Sequence, residues 1–123
     1  MKSIVLVTLF FGYLSLASAF YTFSGVATGV SISTITSSGW TVCATHAYSA
    51  GAISINTIRN NCNGNYTMVA CYSSGSTTYN VAAYAATSDV WYPTGTGNVP
   101  HNANGVSWYY DPSYSMGKWR SNL

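Results

Sequence analysis

The stretch Tyr66-Thr67-Met68-Val69-Ala70-Cys71-Tyr72-Ser73-Ser74-Gly75-Ser76-Thr77-Thr78-Tyr79-Asn80-Val81-Ala82-Ala83-Tyr84-Ala85-Ala86 decides the fold class. Two runs rich in β-forming residues, Tyr66 to Tyr72 and Thr78 to Ala86, flank the turn-forming Ser73-Ser74-Gly75-Ser76. That order predicts an antiparallel hairpin with a loop of about four to five residues. Within the first run, Met68-Val69-Ala70-Cys71 is apolar at successive positions, the pattern of a buried strand.

Working outward, the upstream sequence adds β-prone segments at Tyr21 to Val26 and at Gly29 to Ile35. The second alternates through Val30 and Ile32 and then loses phase at Ile35. Ser37-Ser38-Gly39 breaks the chain, and Trp40-Thr41-Val42-Cys43 reads as a strand with Trp40 and Val42 on one face and Thr41 and Cys43 on the other. Between Ser49 and Cys62 the period changes: Ala52, Ile55, Ile58 and Cys62 recur at near-helical spacing, with Asn60-Asn61 as terminator. The isoleucines are β-branched, so a strand over Ile53 to Ile58 is the rival reading.

Downstream, Asp89-Val90-Trp91-Tyr92 reads as a short strand and Pro93 to Asn104 as a polar loop carrying His101. Asn104-Gly105 is a tight-turn signal, Val106 to Tyr110 a returning strand, and Asp111-Pro112-Ser113 its end. The expectation is a small α+β domain, mostly antiparallel β-sheet with one short helix.

The first residues carry a different signature. Lys2 precedes an apolar run from Ile4 to Leu16, followed by Ala17-Ser18-Ala19. This is the pattern of a secretory signal peptide over residues 1–19, cleaved so that a single extracellular domain spans 20–123. The apolar run is a poor transmembrane span, having no basic stop-transfer flank. Secretion implies an oxidising compartment in which cysteines pair and Asn-X-Thr sites accept sugar.

Charged residues make up only 5% of the chain, against roughly 25% in average soluble proteins. Residues 20–123 hold Arg59, Lys118 and Arg120 against Asp89 and Asp111, and the chain has neither Glu nor Gln. This charge set excludes a phosphate-binding footprint for nucleic acid and gives no stable anchor to an anionic membrane. Solubility must rest on hydroxyl and amide groups or on attached sugar.

Three cysteines, Cys43, Cys62 and Cys71, permit one internal disulfide. Cys43 with Cys62 is the preferred pair because the intervening helix can bring its ends together; Cys62 with Cys71 is the alternative. The remaining thiol is either buried, as the apolar setting of Cys71 suggests, or available for a disulfide-linked dimer. Asn65-Tyr66-Thr67 is the one glycosylation sequon, with Asn65 on a turn entering a strand.

The series Gly39-Trp40-Thr41-Val42-Cys43, Cys62-Asn63-Gly64, Met68-Val69-Ala70-Cys71, Asp89-Val90 and Asn104-Gly105-Val106-Ser107-Trp108-Tyr109-Tyr110 resembles a group of uncharacterised secreted proteins. The resemblance covers most of Gly39 to Gly117 and brings no assigned function. It implies further cysteines beyond the position of Gly117, so that this chain is a shortened form whose third thiol has lost a partner.

Chemistry-bearing residues are sparse. Sugar hydrolysis uses two carboxylates about 5 to 10 Å apart, and only Asp89 and Asp111 are available, in separate segments. His46 and His101 with the cysteines make a poor zinc set, and no Gly-X-Ser-X-Gly elbow accompanies the many serines. No metal, no cofactor and no catalytic residue are expected, and the chain reads as a non-enzyme.

The positive signal is aromatic: Trp91-Tyr92 and Trp108-Tyr109-Tyr110, joined by an Asn- and Gly-rich loop. Paired as antiparallel strands, they would present Trp91, Tyr92, Trp108 and Tyr110 as a stacking platform for sugar rings, or else form a sheet core. The expected function is a secreted, noncatalytic recognition or adhesion module for a glycan or cell surface. The alternatives are a self-associating extracellular structural or matrix component and, third, a membrane-active toxin.

Overall fold

The computed structural model describes residues 2–9, 20–47, 54–95, 99–112 and 120–121. The hairpin is its centre. Strand β4 (Tyr66–Ser73) pairs antiparallel with β6 (Val81–Ala86), matching Met68 with Tyr84 and Ala70 with Ala82 on one face, and Val69 with Ala83 on the other. Met68, Val69 and Ala70 are all buried, so both faces of β4 are covered. An unbroken apolar run in place of alternation is what such a strand requires.

The full sheet has the order β3-β1-β4-β6, all neighbours antiparallel, with β1 spanning Lys2–Leu9 and β3 Trp40–Ala47. Lys2–Leu9, read from sequence as the start of a cleaved leader, is thus a central strand; the cleavage site at Ala17–Ala19 lies outside the described residues. Within β3 the register with β1 shifts between Ala44 and Val42. Cys43 is the residue passed over at that shift. Among the described residues there are two smaller sheets: β2 (Val30–Ser31) with β5 (Thr78–Tyr79), and β7 (His101–Ala103) with β8 (Val106–Trp108) and β9 (Arg120–Ser121).

Among the described residues three helices stand where one was expected. Helix α2 (Ile55–Asn61) carries the anticipated spacing, burying Ile55 and Ile58; the earlier part of the expected helix, residues 49–53, lies outside the described residues. Of the second β-prone segment only Val30–Ser31 is strand, as β2, and helix α1 (Ile32–Ser37) takes over from Ile32. The Ser31 hydroxyl accepts from the Thr34 backbone N–H and caps its start, and Ile35 is fully buried, which accounts for the phase lost at that residue. Tyr21 to Val26 forms no strand; the segment touches the sheet through an isolated bridge between Ala27 and Ala82.

Helix α3 (Thr87–Val90) replaces the expected strand at Asp89 to Tyr92. Its first residue explains why. The Thr87 hydroxyl donates to the Gly64 carbonyl and lies 2.8 Å from the buried Thr67 hydroxyl, while its backbone N–H bonds Asn65. These bonds hold the chain in a turn against β4, and the turn closes with Trp91 N–H on Thr87.

Two apolar clusters cover the two faces of the sheet. One joins Ile55, Ile58, Cys62, Val69, Ala83, Val90, Trp91, Val106, Trp108 and Tyr110; the other joins Ile35, Trp40, Met68, Ala70, Tyr79 and Ala82. The Cys43–Cys62 disulfide ties β3 to the end of α2, as the spacing suggested, and Cys71 carries a thiol, half-buried on β4. Chain-entropy arguments give such a cross-link about 3 kcal/mol.

Candidate functional site

The aromatic segments do not pair with each other. β8 pairs with β7, and Trp91 sits at the end of α3, so the two-stranded platform expected from sequence is not formed. Trp91 is 8% exposed, Trp108 3% and Tyr110 2%; all three lie in the first apolar cluster. Tyr92, at 50%, is the member of the set that faces solvent.

The buried three are held by specific contacts. Trp91 meets Tyr110 edge to face at 5.4 Å, and the Arg59 guanidinium lies 5.3 Å from the Tyr110 ring centre while donating to its hydroxyl at 3.1 Å. Trp108 donates its indole N–H to the Ala103 carbonyl. Thr94 clamps Tyr110 through three bonds: its backbone N–H and hydroxyl donate to the Tyr110 carbonyl, and its hydroxyl oxygen accepts from the Tyr110 N–H. The loop leaving Trp91 is thereby fixed, and with it the placement of Tyr92.

At the surface, Tyr92 stacks on His101 with ring centres 4.1 Å apart and planes 13° from parallel. His101 Nε2 lies 2.7 Å from Asp89 Oδ1, at hydrogen-bond distance, and both side chains are partly exposed, at 27% and 38%. α3 supplies Asp89, the turn after it Tyr92, and the first position of β7 His101; exposed Asn102 follows on β7. This corner offers one flat ring face to solvent beside a carboxylate and an imidazole. Such a set can stack on an apolar ring and bond its hydroxyls.

The sequence places Asp89 at the start of one short strand with Tyr92, and His101 in the polar loop beyond it, and does not bring His101 to either. Their meeting depends on the one-turn helix α3, which β-forming Val90, Trp91 and Tyr92 concealed. A second aromatic group also went unread: Tyr84, half-buried on β6, contacts Phe23, Trp40 and Tyr66 at 5.0, 5.4 and 6.2 Å. Its signal was the hairpin register, since Tyr84 shares a face with Met68.

Among the described residues, no group of three His, Cys, Asp or Glu side chains is placed to hold a metal ion, and no helix is long and apolar enough to cross a membrane. Asn65 is exposed on the turn before β4, whereas Thr67 of the same sequon is fully buried. No known protein-family model matches the chain, and no curated protein or solved structure shows significant similarity to it.

Proposed function

We propose that the protein is a secreted, noncatalytic recognition module that contacts a glycan or a glycan-bearing cell surface through the Tyr92–His101–Asp89 corner. The observation that carries this reading is the exposed Tyr92 ring, stacked at 4.1 Å on an imidazole that is itself held by a carboxylate. Sugar rings present apolar C–H faces to such a plane and hydroxyls to the neighbouring Asp89. The leader-like N-terminus, the Cys43–Cys62 disulfide and the exposed Asn65 sequon support an extracellular setting.

The test is glycan-array binding by the purified protein and its Tyr92→Ala and Asp89→Asn variants. Tyr92→Ala should weaken a defined glycan signal by about tenfold, the loss of one aromatic contact. Undiminished binding by that variant, or no glycan bound by the parent, would remove the reading. Trp91→Ala and Trp108→Ala are unsuitable probes because they report on the core.

A second reading, a self-associating extracellular component, is favoured by β3. Among the described residues β3 is a sheet edge, its eight residues carry no Lys, Arg, Asp, Glu or Pro, and Val42 on it is 44% exposed. Natural edges are usually blunted by charge or proline. Light scattering of the parent and Val42→Lys separates the readings: assembly abolished by the lysine favours self-association.

A further inference from the structure

The chain holds two Asn-Gly dipeptides, Asn63-Gly64 and Asn104-Gly105. Such a pair can react with itself. The backbone nitrogen of the glycine attacks the side-chain Cγ of the asparagine, and because glycine has no Cβ, nothing on that residue hinders the approach. The fold places the two pairs in opposite settings.

Asn104 is locked. Its amide nitrogen donates to the carbonyls of Phe23 and Tyr84, and its own backbone carbonyl accepts from Gly25 N–H. Gly105 is packed so closely that a Cβ there would lie 3.0 Å from Gly25 N and from the Ser24 hydroxyl. Asn63 is the contrary case. It is exposed just beyond α2, and among the described residues neither its side chain nor the Gly64 N–H is hydrogen-bonded.

Gly64 also bears on the candidate site. Its carbonyl accepts from the Thr87 hydroxyl, and the next carbonyl, that of Asn65, accepts from Thr87 N–H. Those bonds fix the start of α3, whose Asp89 lies 2.7 Å from His101, and His101 in turn stacks on Tyr92. The backbone at residues 63–65 thus sets where Asp89 stands.

We infer that Asn63 is a site of spontaneous deamidation, and that its isoaspartate form loosens the Asp89–His101–Tyr92 corner. Gly64 N bonds to Asn63 Cγ, the Cγ–Nδ2 bond breaks, and ammonia leaves, taking the Gly64 amide proton by way of solvent. One water then opens the cyclic imide. Addition at the side-chain carbonyl gives aspartate; addition at the backbone carbonyl gives isoaspartate, in which the chain runs through Cβ and Cγ. That path is longer by one carbon–carbon bond, about 1.5 Å, directly before the carbonyl that anchors Thr87. Either product also adds a carboxylate beside the C-terminal end of α2, where the helix dipole disfavours negative charge.

The bearing on recognition rests on the function proposed above; the conversion does not, and the readouts keep the two apart. Purified, disulfide-bonded protein without sugar is held in mildly alkaline buffer, with and without denaturing urea, and peptide mapping with isoaspartate detection follows positions 63 and 104. In buffer, position 63 should convert at least about tenfold faster than 104, whose two amide bonds must open first. In urea the two rates should converge. Asn63→Gln should stay unconverted, because its longer side chain must close a larger ring. The NMR signals of the His101 ring report the corner without any ligand: they should move in the isoaspartate fraction and hold their place in Asn63→Asp, which brings the charge without the extra bond.

An intact amide at 63 in buffer, equal rates at 63 and 104 in the folded protein, or a gap that persists in urea overturns the assignment of the site to the fold. Conversion with unmoved His101 signals, or the same movement in Asn63→Asp, overturns the link to the corner. A glycan signal that weakens as isoaspartate accumulates supports both. A parent that binds no glycan ends the recognition reading alone, and the mass and NMR results still decide the deamidation.

Discussion

Asn104 and Gly105 show how much of the fold one dipeptide fixes. Both have positive φ, 51° and 73°, the pair of left-handed residues that closes a two-residue hairpin between β7 and β8. The turn was legible in the sequence for that reason. Its reach was not: the Asn104 amide donates to the carbonyls of Phe23 and Tyr84, and its own carbonyl accepts from Gly25 N–H. Asn104→Ala removes two hydrogen bonds and strains the turn, and should lower unfolding free energy by about 2 to 3 kcal/mol. Asn104→Gly keeps the backbone conformation and should lose less. Urea denaturation of the two variants checks the order, and equal losses would assign the whole effect to the side-chain bonds. Tyr79 gives a pH prediction at the same scale. It is 1% exposed, and burial, then the neighbouring Tyr72, raises its hydroxyl above the ordinary value of 10.0. The folded state thus holds the proton more tightly than the unfolded chain. Its contribution is fully present below about pH 10 and is lost as pH rises through the folded value. Stability measured from pH 9 to 11 should fall, and Tyr79→Phe should flatten that slope.

Among the elements, those whose burial pattern has one period were readable and those decided by a distant hydrogen bond were not. The hairpin β4–β6 followed from its apolar run, and α2 from Ile55, Ile58 and Cys62. α1 and α3 were hidden because their residues, Ile32 to Ile35 and Val90 with Trp91, favour strands locally. The Ser31 cap turns the first, and Thr87 bonded to Gly64 and Thr67 turns the second. The candidate site shared that fate, because Asp89 reaches His101 only from a helical α3. Cys43–Cys62 links β3 to α2 across a separation of 19 residues. A Cys43→Ala/Cys62→Ala double variant should lose about 3 kcal/mol against denaturant, and reducing agent should lower the parent toward it. Cys71→Ala, outside the disulfide, should leave the response to reducing agent unchanged. A parent insensitive to reduction would show that the cross-link constrains nothing in the unfolded chain.

The whole molecule is apolar on both sides of its sheet and nearly uncharged outside, with 48% hydrophobic and 5% charged residues. Net charge so close to zero gives little repulsion between molecules, so solubility depends on hydroxyls, amides and any sugar. Asn65 is placed to carry that sugar: its side chain is exposed, while its backbone carbonyl accepts from Thr87 N–H whatever the side chain bears. Thr67, the other half of the sequon, is fully buried and close to Thr87 Oγ1 in the folded state. Any sugar transfer to Asn65 would have to precede closure of β4 onto α3. In a eukaryotic secreting host, Asn65→Gln should yield a product lighter by one glycan, with its denaturation midpoint unchanged within about 0.5 kcal/mol, as for surface substitutions generally. Its solubility limit should fall, read as the concentration at which light scattering rises. An unchanged mass would show that the sequon is unused. A changed mass with unchanged solubility would return the burden to the Ser, Thr and Asn surface, and a large loss of stability would mean that the sugar packs against the fold.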